Sequence, residues 1–451
     1  MTIVPVILDI LKSGKHLSCV EEQLAVAMKD YLVSQLSYCL EQLDKEVIRD
    51  YCDDGWEIDR LEERQLTFFF GTVTFRRRRL RKSGEKSFLP LDKALGLKAR
   101  ERYSPLFKEK AGQLVTGMTY RQASQSLELL TNQSISRQSL HRMTQTVAEK
   151  LKASVLPEPE TLRRPAVLYI EGDGIWIGSQ EKDQSLEFKR GCLHEGVDRS
   201  DDKRPKLINP VYFGCFGKSQ DLFEQMSEYV QSHYDLRGSI IVANSDGGSG
   251  YEADKFETVF GRTKYFHYCL DSYHVMKYLT GKLGFDKELQ TALRQAVKAY
   301  DVSKVRVLLD TAESYIETQK HLDYLSDVQG YLTRYWFAIK PLYMREGALS
   351  DGVGICESGH RYYTNRLKRQ GRNWSRSGAE NMALLMTAQR NGTFETLYRT
   401  AYPHVPLQPE VSVSVGRLLR RNVNESHIIA PASIPLNAPT SSPIGKLKKW
   451  I

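Results

Sequence analysis

The stretch Ala166-Val-Leu-Tyr-Ile-Glu-Gly-Asp-Gly-Ile-Trp-Ile177 is apolar throughout and rich in β-branched and aromatic residues, apart from two carboxylates and two glycines. Such a run reads as a buried strand. Asp173 in its middle is then the residue to explain, because an unpaired carboxylate in an apolar strand costs several kcal/mol unless a cation or donors meet it. A second stretch, Ile240-Ile-Val-Ala-Asn-Ser-Asp-Gly-Gly248, repeats the theme with Asp246 just past an apolar strand. Each Asp-Gly taken alone is an ordinary turn former.

Between and after these stretches the pattern predicts strands at Leu186–Leu193, Ile208–Phe216 and Lys264–Tyr268. Helices are predicted at Asp221–Tyr234, Tyr251–Phe260 and Asp271–Leu283. The succession β-β-β-α-β-α-β-α makes the fold class α/β and has the element order of a ribonuclease-H-like fold. In that order the first and fourth strands are parallel neighbours, so Asp173 and Asp246 fall at one edge of the sheet, where α/β folds place ligands. Convergent carboxylates suit Mg²⁺ or Mn²⁺, hard cations that prefer oxygen.

Working outward, residues 1–60 read as an N-terminal helical region with apolar residues at three- and four-residue spacings. Residues 61–112 hold a basic β-hairpin region, in which Arg64–Leu80 alternates about Gly71 and Arg76–Lys82 has six basic residues in seven. Within 113–156, Thr119 and Ser136 can cap two short helices, the outline of a helix-turn-helix. The second helix offers Arg137, Gln138 and Arg142 to phosphates or bases; an αα-hairpin without DNA is the other reading of the same pattern. Residues 163–400 form the expected catalytic domain, interrupted by an all-helical insertion at about 285–345. Residues 401–451 hold seven of the sixteen prolines and read as a tail.

A third carboxylate is expected after the helical block. Glu357, in Cys356-Glu-Ser-Gly-His360, is the first candidate and Glu380 the alternative. The segment Arg361–Arg376 between them has six basic residues and no acidic one, interleaved with Tyr362, Tyr363 and Trp374. Basic residues among aromatics suit phosphate tracking and base stacking, with Arg366, Lys368, Arg369 and Arg372 the expected DNA contacts beside Arg76, Arg77, Arg78 and Arg79. Cys269 with His274, and Cys356 with His360, admit a zinc reading. Against it, a free cysteine beside an apolar run is more often a small core residue.

Composition agrees with a polyanionic partner. Of 451 residues, 64 are Lys or Arg and 55 Asp or Glu, a net charge of +9. No apolar run approaches the roughly 18 residues of a membrane span. The seven cysteines are dispersed and never in a C-x-x-C pair, which predicts reduced thiols and a cytoplasmic protein.

Four pieces together resemble the DDE transposases of bacterial insertion sequences in the Mutator-like group, closest to the ISLre-type family. They are Ile170-Glu-Gly-Asp173-Gly, Asn244-Ser-Asp246-Gly-Gly, Asp271-Ser-Tyr-His274, and Glu357 followed by Asn365-Arg-Leu-Lys-Arg-Gln-Gly371. Here Ser358 separates the glutamate from Gly-His, where the family pattern has them adjacent. The resemblance implies that Asp173, Asp246 and Glu357 hold two Mg²⁺ ions, with Asp271 and His274 beside them. It implies cleavage and strand transfer of double-stranded DNA by a homodimer or larger assembly, near the bacterial nucleoid. A metal-dependent nuclease or resolvase, and a non-catalytic DNA-binding regulator, are the alternatives.

Overall fold

The computed structural model describes residues 3–182, 184–201, 205–261, 263–347, 355–369 and 371–402; at 355–358 and 360 it describes the main chain alone. The tail expected at 401–451 lies outside the described residues from 403 onward. Two compact units follow one another along the chain, dividing after Ser104.

The first unit begins with α1 (Val4–Leu11) and a 37-residue helix, α2 (Leu17–Asp53). A hairpin follows, β1 (Glu57–Phe68) and β2 (Gly71–Arg81), then the short α3 (Pro90–Ala94). The strands pair antiparallel from Glu57↔Arg81 to Phe68↔Gly71. Alternate residues of β2 point inward, so Val73 and Phe75 join Leu40, Leu66 and Leu91 in one core.

That alternation corrects the reading of the arginine run as a free basic surface. Arg77 lies on the buried phase and donates to Asp92 Oδ1 at 2.8 Å, while Arg64 donates to Asp92 Oδ2 at 2.6 Å. Arg78 meets the fully buried Asp44 at 2.7 Å, and Arg79 meets Glu62 at 2.7 Å. Exposed Arg76 pairs with Glu41 at 3.3 Å. Each expected DNA contact in this run therefore has an internal carboxylate. Hydrogen bonding from Arg79 first, then from Arg60, lowers the Glu62 carboxyl to about 2. A depressed folded-state value stabilises above the unfolded value of 4.5 and is lost as pH falls towards 2. Glu62→Gln is expected to flatten the acid limb of thermal midpoint against pH across that window.

The second unit opens with α4 (Pro105–Gly117), α5 (Tyr120–Thr131) and α6 (Arg137–Lys152). Thr119 caps α5 through a reciprocal capping box with Gln122, and Ser136 caps α6 by accepting from Ser139 N. Between them Asn132 turns the chain at φ 52°. The apolar face of α6 packs on α4, α14 (Arg376–Arg390) and α15 (Phe394–Thr400). Arg137, Gln138 and Arg142 are exposed on its other face.

The α/β layers follow: β3 (Val167–Ser179), β4 (Ser185–His194), a small hairpin of β5 (Val197–Asp198) and β6 (Lys206–Leu207), then β7 (Val211–Cys215) and α7 (Ser219–His233). Next come β8 (Ile240–Ser245), α8 (Ala253–Phe260), β9 (Tyr265–Leu270) and α9 (Ser272–Lys282). Three helices continue as α10 (Lys287–Lys298), α11 (Val302–Tyr315) and α12 (Gln319–Ile339). Then α13 (Ile355–Leu367) and β10 (Asn373–Trp374) lead into α14. The main sheet is mixed, in the order β7-β4-β3-β8-β9, with β10 beside β3. Strand β3 is antiparallel to β4 and parallel to β8, which is parallel to β9. Leu168, Ile170 and Ile241 pack with α7, α8 and the α9–α12 helices, whereas Tyr169, Val242 and Cys269 occupy the opposite face.

Candidate active site

Pairing of β3 with β8 ends at Glu171↔Asn244, so Asp173 and Asp246 stand two residues beyond the same rung. Both line one cleft of about 1820 Å³. Asp173 is 8% exposed; its Oδ1 accepts from Gly174 N at 2.6 Å and its Oδ2 lies 3.7 Å from Arg190, the residue directly opposite on β4. Asp246 follows β8, and its Oδ1 accepts from Gly248 N at 2.8 Å.

His274, on the first turn of α9, reaches the same cleft and hydrogen-bonds Asp271 at 2.8 Å. Asp271 also caps α9 by accepting from Tyr273 N. The Asp271 hydrogen bond is the largest cause holding the imidazole above its ordinary pKa; the charges of Asp173 and Asp246 add to it. Both carboxylates are thus within electrostatic reach of His274. Burial, with Glu187, Asp173 and Asp246 nearby, likewise raises the Tyr251 phenol and keeps it a donor.

Helix α13 runs along the cleft and presents Arg361, Thr364 and Lys368, with Arg369 beside them. These positions are spaced three and four apart, one helical stripe. Position 357 continues that stripe one turn earlier, while the Glu357 side chain itself lies outside the described residues. Glu380 pairs instead with Arg376 at 3.1 Å and is not among the residues lining the cleft.

The basic segment divides by burial. Lys368 and Arg369 face the cleft. Arg366, expected to contact DNA, is 4% exposed and donates to Val115 O at 2.8 Å between Tyr120 and Trp374. Burial lowers its pKa to about 10. It fastens α13 to α4 and cannot reach a phosphate. Arg372 donates to the carbonyls of Asn365 and Arg366 at the end of α13.

Glu187, unremarked in the sequence, adds a further carboxylate to the cleft, paired with Lys189. Its signal was the alternation of Leu186-Glu-Phe-Lys-Arg190, which turns 187 and 189 to the side opposite Phe188. Lys218, Lys255 and Lys277 complete a cationic rim. Among the described residues no three His, Cys, Asp or Glu side chains stand close enough to hold a metal ion. Asp173 and Asp246 carry hard oxygen donors of the kind that Mg²⁺ or Mn²⁺ prefers. Cys269 is a core residue whose thiol burial pushes up to about 11; Cys356 and His360 have side chains outside the described residues.

Fold and cleft together define a mixed α/β protein with paired carboxylates at one edge of its sheet. Residues 10–400 match the model of an uncharacterised protein family, UPF0236. The chain belongs to that family. It is similar along its full length to the "UPF0236 protein in vanSb 3'region" of Streptococcus gallolyticus, with 60% identity over 451 residues and all of both chains covered. A solved structure of NurA with manganese aligns over 59% of this chain and 66% of that one, at 11% identity and a TM-score of 0.10. That score is below the level of a shared fold.

Among the described residues no helix is long and apolar enough to cross a membrane.

Proposed function

We propose that the protein is a DDE-type DNA transposase, acting on insertion-sequence ends in the manner of the ISLre-type enzymes it resembles. The observation that supports this best is the placement of Asp173 and Asp246, each two residues beyond the last β3–β8 rung, in a cleft rimmed by lysines and arginines. The sheet sets β3 beside β8, which supports reading it as a ribonuclease-H-like domain with α10–α12 as its helical insertion. On this reading Asp173, Asp246 and Glu357 hold Mg²⁺ or Mn²⁺. Two such ions supply activation of the attacking oxygen and stabilisation of the leaving 3′ oxygen.

The chain's own groups do the rest. Arg361, Lys368 and Arg369 bind the phosphates and offset the charge of the carboxylates. Asp271 fixes one ring nitrogen of His274, which holds the imidazole in place within the cleft. The exposed Arg137, Gln138 and Arg142 read the element end from α6, as the recognition helix of a helix-turn-helix. Synapsis of two ends requires at least two protomers, acting in the cytoplasm at the nucleoid.

Labelled element ends incubated with Mg²⁺ and target DNA test the proposal. Joined products are expected. Cutting without joining would make the protein a nuclease or resolvase, and binding alone a regulator. Lys368→Ala with Arg369→Ala is expected to weaken DNA binding uniformly across sequences. Removing a cation that neutralises one phosphate should reduce the slope of log affinity against log salt by about 0.9.

A further inference from the structure

The segment Ser245–Glu252 that carries Asp246 is tied down by hydroxyl groups. Ser245 Oγ accepts from Gly247 N at 3.1 Å and donates to Tyr251 O at 2.7 Å. Tyr268 Oη also donates to Tyr251 O, at 3.1 Å. Tyr251 N closes a turn onto Gly248 O at 2.9 Å. These bonds shape the loop but do not attach it to the strand bearing the other carboxylate.

Tyr251 makes that attachment. Its ring is 3% exposed, and its Oη donates to the main-chain oxygen of Asp173 at 2.9 Å. Pairing of β8 with β3 stops at Glu171↔Asn244, so this hydroxyl bonds the β3 main chain two residues past the end of the ladder. The approach depends on Gly172. A Cβ there would lie 2.9 Å from Tyr251 Cδ1, closer than such atoms come, and a tight 3.0 Å from Phe256 Cζ.

We propose that Tyr251 is a positioning residue, a clamp from the Asp246 loop to the Asp173 strand that sets the separation of the two carboxylates before a metal ion arrives. This rests on the reading of that pair as metal ligands under the proposed function. An ion held by two oxygens on separate elements selects their spacing, and an unclamped loop must be ordered at the expense of affinity. Tyr251 acts through the main chain of Asp173, to which its hydroxyl donates.

Tyr251→Phe removes only the hydroxyl and keeps the ring in place. Two measurements on the full-length protein decide its role: calorimetric titration with Mn²⁺ alone, and amide hydrogen exchange over residues 246–250 without metal. The expected result is Mn²⁺ affinity weakened by about 10–100-fold, as for other partners that orient a metal ligand. Exchange should be roughly tenfold faster, with the thermal midpoint lowered by no more than about 4 °C. Gly172→Ala, which pushes the ring away from β3, should move both quantities in the same direction. Tyr234→Phe is the control, since it removes another buried tyrosine's hydroxyl, one bonded to Glu195 at 3.1 Å; it should change neither. Unchanged affinity and exchange in Tyr251→Phe, or an equal change in Tyr234→Phe, would overturn the clamp. Should the wild-type protein bind no Mn²⁺, the metal reading of the carboxylates fails by itself. The exchange measurement then still decides the clamp: acceleration supports it and identity with wild type refutes it.

Discussion

Asp246→Asn is expected to reduce DNA cleavage by about three orders of magnitude while leaving DNA affinity and the thermal midpoint near their wild-type values. The size follows from the several kcal/mol that a bound cation contributes to the charge developing in phosphoryl transfer, at about 1.4 kcal/mol per decade. The selectivity follows from position. Asp246 lies past the end of β8, where its Oδ1 caps only Gly248 N, and Asn keeps an acceptor for that bond. Asp173→Asn should act alike on cleavage with a further loss of stability, because Asp173 is buried beside Arg190 and the substitution leaves that guanidinium facing a neutral amide. The same assay decides the third ligand. Glu357→Gln is expected to abolish cleavage, and Glu380→Gln to retain it, since Glu380 is engaged by Arg376 outside the cleft. The reverse result would move the site to α14. Full activity in Asp246→Asn would remove the transposase reading altogether.

Asp92→Asn is expected to have the largest effect on stability in the first unit. Its two oxygens serve Arg64 and Arg77 separately, at 2.6 and 2.8 Å, and all three side chains are at most 10% exposed. Removing one partner of a buried ion pair costs about 3–5 kcal/mol because the other charge is left uncompensated. Here two guanidiniums are left. For a unit of this size each kcal/mol lowers the midpoint by about 4–8 °C, so a fall of more than roughly 12 °C is expected by calorimetry or denaturant melts. Replacing all three with well-packed apolar residues should restore most of the stability, since the triad's desolvation is then avoided. A midpoint unchanged by Asp92→Asn would show that the pair is hydrated and the arginines available to DNA after all.

The two substitutions mark different limits of the sequence. The hairpin at Arg64–Leu80 was legible from alternation and its glycine, yet alternation also dictated that Arg77 would point inward with Val73 and Phe75. The run of like charge disguised this. Three of its carboxylate partners, Glu41, Asp44 and Asp92, lie on α2 and α3, and no local pattern reveals them. Arg366 failed for a similar reason. It sits among residues that do face the cleft, and only the docking of α13 against α4 buries it.

By itself the sequence determined the order of the main strands and helices, the aspartates Asp173 and Asp246 on or just past apolar strands, and the caps that start α5 and α6. Periodicity, β-branching and turn chemistry are local, acting within a few residues. The tertiary structure alone decided which charges are free. It put Asp173 and Asp246 two residues beyond one rung, spent the hairpin arginines on internal carboxylates, added Glu187 and the Tyr251 hydroxyl, and kept Lys368 and Arg369 in the cleft. Whether a charged side chain meets solvent or a counterion depends on what packs against it from distant parts of the chain, and burial makes that choice energetically binding.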